Sequence, residues 1–155
     1  LDDGTRIDEV IAICRYFEAV QPEPPLLGRD PREQAIVTSR QRKMEFEGMI
    51  ACSEVFRNSH KDFANRSLPG AGTETLPAIA PLIERGQQTL VRFFTWIENY
   101  LEASPWLAGD IFTMVDITAF CAIDFCAWVD ITIPDDNART LAWYQRVAAR
   151  PSASV

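Results

Sequence analysis

The sequence predicts an all-α fold: a helical bundle wrapped around one central buried helix at about 113–129. Three observations lead there. Residues 114–128 are apolar nearly all round, from Met114 and Val115 through Phe120 and Ile123 to Phe125 and Trp128. A helix apolar on every side belongs to an interior, and Asp116 and Asp124 in so short a run argue against a membrane span. Thr113 and Asp116 stand at its entrance with capping-box spacing. The threonine hydroxyl is expected to accept from the Asp116 N–H, and the aspartate carboxylate to reach back to the Thr113 N–H. Elsewhere apolar residues recur with helical periodicity, and no stretch alternates convincingly as a strand.

The elements follow in order. Asp3-Gly4 is a turn signal. Ile7, Val10, Ile11, Cys14 and Phe17 then give an amphipathic helix within residues 1–18. A lone turn and helix makes an abrupt beginning, so the chain is expected to start in the middle of a fold. Residues 19–31, with four of the ten prolines, read as a stiff extended linker. Asp30-Pro31-Arg32-Glu33 supplies a cap, a proline at the first position and an acid at the third, starting a long helix expected to reach Asn58. Its first half is polar, read as solvated. Its second half places Phe46, Met49, Ile50, Ser53 and Phe56 along one face.

Residues 59–75 form a loop. The next helix carries Ile79, Leu82, Ile83, Gly86, Leu90, Phe93, Phe94, Ile97, Tyr100 and Leu101 on one stripe. Gly86 within it permits another helix to approach closely, and Pro81 is expected to kink the first turns. Phe112 is predicted to staple against Ile117 at the central helix's entrance. A last helix, about 137–149, shows Leu141, Tyr144, Val147 and Ala148 on one side and stops at Arg150-Pro151.

Composition narrows the function classes. The chain has 155 residues, enough for a sizeable core. A hydrophobic fraction of 47% and a charged fraction of 24% are those of an ordinary soluble domain. The net charge of -7 disfavours nucleic acid and anionic membrane surfaces as partners. Neither a signal peptide nor a transmembrane run is apparent. The cysteines Cys14, Cys52, Cys121 and Cys126 include no C-x-x-C pair, and His60 is the one histidine, so no metal site is expected. All four read as buried free thiols, which points to a reducing, cytoplasmic setting. His60 reads as a surface cap. Asp124, if buried, needs a partner such as Arg146 or Arg150.

Three segments together resemble the glutathione S-transferases. Leu1–Glu18 is similar to the last turn and helix of that family's thioredoxin-like glutathione-binding domain. Trp106–Asp116 resembles its buried capping-box motif, and Leu141–Ser152 its late helix and closing segment. The proline-rich stretch falls where the family joins its two domains. The resemblance implies a remnant of the glutathione-binding domain at 1–18, a linker at 19–30 and a helical carboxy-terminal domain at 31–155. It also implies that the family's activating Tyr, Ser or Cys precedes residue 1.

The family adds a glutathione thiolate to a hydrophobic electrophile. By resemblance, Glu9 occupies the acidic position that holds the glutathione ammonium. Val10 departs from the pattern, lacking the hydroxyl that binds the γ-glutamyl carboxylate, although its backbone N–H remains a donor at a helix N-terminus. Without the resemblance, Glu9 is simply an acid favoured by the helix dipole. Met44, Phe46, Met49 and Trp128 are the candidates for the electrophile pocket, between the long helix and the central one. Thr113 and Asp116 are structural caps. The resemblance implies glutathione as a co-substrate and no other cofactor. It also implies a homodimer paired through the helix at 7–18 and the long helix after Asp30. Such helical domains also occur as non-catalytic docking modules, which is the alternative function. A third possibility is a piece inert by itself.

Overall fold

The computed structural model describes residues 1–63 and 72–153, and among them the regular elements are all helical. Helix α1 is Val10–Val20. Helix α2, Pro31–Lys43, starts as expected: the Asp30 carboxylate accepts the Glu33 N–H at 2.9 Å and Pro31 takes the first turn. It continues without a break into a π-helical stretch, Met44–Ile50, and then into α3, Ala51–Ser59. Helix α4 is Ala80–Tyr100, α5 is Met114–Cys126 and α6 is Ala138–Ala148. Short 3₁₀ turns close α5 and α6 at Ala127–Val129 and Pro151–Ala153. The loop expected over 59–75 lies partly outside the described residues.

Helix α5 packs against α2, the π stretch, α3 and α6, while α4 covers α3 and the π stretch. Val115, Ala119, Ala122, Ile123 and Cys126 of α5 are buried with Phe93, Phe94 and Ile97 of α4. The burial is less complete than an all-apolar helix predicts, because Cys121 and Asp124 face solvent. Asp124 therefore needs neither Arg146 nor Arg150; it accepts a hydrogen bond from the Tyr144 hydroxyl. Of the four thiols only Cys52 and Cys126 are buried.

The capping box at the entrance forms. Thr113 N–H donates to Asp116 Oδ2 at 2.9 Å, and Thr113 Oγ1 accepts from Val115 N–H at 3.3 Å. Phe112, just before the cap, lies edge-on to Trp106 at 5.3 Å, with the Arg150 guanidinium 3.8 Å over its ring.

Gly86 makes the expected close approach. A Cβ there would lie 2.7 Å from the Ala51 carbonyl oxygen, so α3 and α4 touch backbone to backbone. Pro81 does not kink α4 but stands in its first turn, where the missing N–H costs nothing.

Two faces differ from the periodic reading. Along the long helix the buried residues are Val37, Gln41, Met44, Gly48, Ala51, Cys52 and Val55, so the polar first half is not wholly solvated, while Phe46, Ile50 and Ser53 are exposed. Wider i→i+5 turns rotate the stripe as the chain crosses the π stretch. On α6 the buried residues are Thr140, Trp143 and Val147, and Leu141 and Ala148 point outward. Thr140 is acceptable inside because its hydroxyl and N–H both donate to Glu98 Oε2 at 2.8 Å.

Candidate functional site

The amino-terminal end of α1 is unusual in its backbone. Glu9, the N-cap, has φ 68° and ψ 127°, in the half of conformational space that non-glycine residues avoid. Such a conformation costs on the order of 1–3 kcal/mol and concentrates at ligand clamps. The Glu9 side chain makes no capping bond to the helix. The carboxylate is exposed. The Glu9 carbonyl accepts from Ala12 and Ile13, which leaves the N–H groups of Val10 and Ile11 at the free helix end. An acid and the amide donors of a helix's first turn thus stand side by side, a pairing suited to a ligand carrying an ammonium and a carboxylate.

Between α1 and the start of α2 lies a cavity of about 470 Å³. Ile11, Leu27 and Val37 give it apolar walls; Arg15, Glu18 and Gln34 give it polar ones. Sequence reasoning missed it, because its floor is the proline-rich segment, read as a linker alone. The signal was Glu18 at the end of a helix facing that segment: its carboxylate accepts the N–H groups of Leu26 at 2.9 Å and Leu27 at 2.7 Å.

The four residues expected to line an electrophile pocket do not converge on one of the described cavities. Met44 has 0% exposure and belongs to the core. Met49 is half-buried against that core. Phe46 is 52% exposed, with the Arg42 guanidinium 4.3 Å over its ring. Trp128 is 73% exposed and meets Phe56 edge-on at 6.2 Å. Phe56 also packs against Phe63 and Phe125, so Trp128 is the outer member of an aromatic cluster where α3 and α5 end. His60 caps α3, its N–H donating to the Phe56 carbonyl at 2.9 Å.

Asp116 is the most buried carboxylate of the region and is fully engaged. Besides the cap it accepts from Leu107 N–H at 3.0 Å and from the Trp143 indole N–H at 2.9 Å. Burial pushes its carboxyl above the ordinary carboxylate range, and these bonds pull against that shift. With its lone pairs taken by structural donors, its work is to hold the loop, α5 and α6 together.

The chain is similar to known proteins. Residues 80–146 match the family described as glutathione S-transferase, C-terminal domain. Glutathione S-transferase 2 of Saccharomyces cerevisiae is 31% identical over 153 residues, covering 98% of this chain and 62% of that protein. FtsZ-localized protein A of Caulobacter vibrioides is 27% identical over 94% of this chain and 60% of its own length. The crystal structure of Gtt2 from Saccharomyces cerevisiae superposes with a TM-score of 0.84 at 30% identity, covering 99% of this chain and 70% of that one. The chain spans about three-fifths of the length of these two curated relatives.

Proposed function

The chain belongs to the glutathione S-transferase family, and on that basis we propose that it is the helical, hydrophobic-substrate part of an enzyme that conjugates glutathione to an apolar electrophile. In that reaction the glutathione thiolate attacks an electrophilic carbon. A carbon–sulfur bond forms, and either a leaving group departs with the displaced electron pair or the adduct takes up a proton. Glutathione is a co-substrate, consumed in each turnover.

The observation that carries the reading is the Glu9 backbone, held at φ 68° with its carboxylate free. In this assignment Glu9 pairs with the γ-glutamyl ammonium, and the Val10 N–H donates to the neighbouring carboxylate. The missing hydroxyl at Val10 leaves that carboxylate with a backbone donor in place of two donors. The residue that favours the thiolate is not assigned to this chain. For the electrophile, Trp128 and Phe46 offer exposed aromatic faces and Met44 offers none.

The assignment also carries a cytoplasmic location and a homodimer paired through α1 and α2. Among the described residues no helix is long and apolar enough to cross a membrane. The FtsZ-localized relative is the observation on the side of a docking module, at lower identity than the yeast transferase.

Immobilised glutathione tests the proposal. The chain alone is compared with the longest polypeptide that its source encodes around it. Retention of the longer form, released by free glutathione, is the expected result. Passage of both forms, with glutathione-independent recovery of a protein partner, overturns it in favour of docking.

A further inference from the structure

No residue of α1 is buried, so packing alone does not fix this helix on the bundle. Hydrogen bonds do. The Glu18 carboxylate takes two successive backbone donors of the proline-rich segment: Oε2 accepts from Leu26 N–H at 2.9 Å, and Oε1 from Leu27 N–H at 2.7 Å. The Leu26 carbonyl in turn accepts the N–H of Met114, the first residue of α5, at 2.9 Å. One turn along α1, the Cys14 thiol lies 3.9 Å from the Met114 sulfur. The segment is itself pinned to α2. Gly28 has φ 103°, and a Cβ there would fall 2.6 Å from the Gln34 backbone nitrogen. A short, rigid relay therefore runs from α1 through Leu26 to the capped entrance of α5.

We propose that Glu18 is a positioning residue: it fixes the tilt of α1 on the helical bundle and so sets where Glu9 stands relative to the substrate-binding helices. Glu9 lies nine residues from Glu18, roughly 13 Å at 1.5 Å per residue. A tilt of about 5° pivoting at Glu18 moves Glu9 by roughly 1 Å, enough to take a hydrogen bond of about 2.8 Å beyond bonding range. The functional half of this inference rests on the glutathione reading above; the structural half does not.

Glu18→Ala and Glu18→Gln test it, by amide hydrogen exchange and by steady-state kinetics with varied glutathione in the full-length protein. In Glu18→Ala the Leu26 and Leu27 amides and those of α1 exchange at least about tenfold faster, while the α4 amides are unchanged. KM for glutathione rises about tenfold with kcat changed less. Glu18→Gln, which keeps one acceptor, gives intermediate values. Unchanged exchange in α1 overturns the clamp. A lowered Tm with KM unmoved overturns the positioning role. If the unsubstituted protein neither binds nor uses glutathione, the functional reading fails, and the exchange measurement alone decides the clamp.

Discussion

The indole N–H of Trp143 donates to Asp116 Oδ1 at 2.9 Å, tying α6 to the residue that caps α5. The same oxygen accepts from Leu107 N–H, and the second oxygen takes the Thr113 N–H. One carboxylate thus fastens three separate pieces of chain. Asp116→Ala leaves buried donors unpaired, each costing about 1–3 kcal/mol, so the expected loss is about 3–5 kcal/mol in urea unfolding. Trp143→Phe removes one donor and keeps most of the packing, for a loss of about 1–2 kcal/mol.

Gly86 predicts a second outcome. An alanine in a helix normally gains about 1 kcal/mol over glycine. At this position its Cβ would sit 2.7 Å from the Ala51 carbonyl oxygen and 2.8 Å from Val55 Cγ2. Overpacking costs about 1–3 kcal/mol or more where backbone must move. Gly86→Ala therefore lowers the urea midpoint; a raised midpoint contradicts the close approach of α3 and α4.

Glu98 of α4 makes stability depend on pH. Burial works to raise its carboxyl, but the N–H and hydroxyl of Thr140 and the N–H and guanidinium of Arg139 outweigh that and hold it below its ordinary 4.5. A carboxyl with a lowered folded-state pKa gives stability that is fully present above the unfolded value of 4.5 and lost as pH falls through the folded one. Thermal melts from about pH 6 down to about pH 3 show a falling Tm, and Glu98→Gln flattens part of that fall.

Asp124 and Tyr144 predict a small effect. The phenol donates to the carboxylate, and burial together with that neighbour pushes the phenol pKa up to about 12. Asp124 is exposed, so Tyr144→Phe costs at most about 1 kcal/mol in urea unfolding while moving the tyrosine absorbance titration down.

Much of this architecture was legible because it is written in local chemistry. Thr113-x-x-Asp116 names a cap, Asp30-Pro31-x-Glu33 names a helix start, and Gly86 in an apolar stripe names a close approach. The α6 face was not legible. Its buried position Thr140 is polar and is made acceptable by Glu98, forty-two residues away in sequence. Periodicity followed Leu141 and Tyr144 and passed over Trp143. The π stretch was equally hidden, since nothing in Met44–Ile50 announces wider turns, and their effect was to turn Phe46 outward and Met44 inward. Glu9 is singled out by resemblance alone and its backbone conformation was not legible, and the hydrogen bonds of Glu18 go to donors in a segment that composition marks only as stiff.

The most direct measurement is calorimetric titration of glutathione into the full-length protein and its Glu9→Ala variant. Losing a charge-assisted bond of about 1.5–3 kcal/mol weakens affinity by roughly ten- to a hundredfold, and that is the expected result. Equal affinity in the two proteins would contradict the placing of the glutathione ammonium at the amino-terminal end of α1.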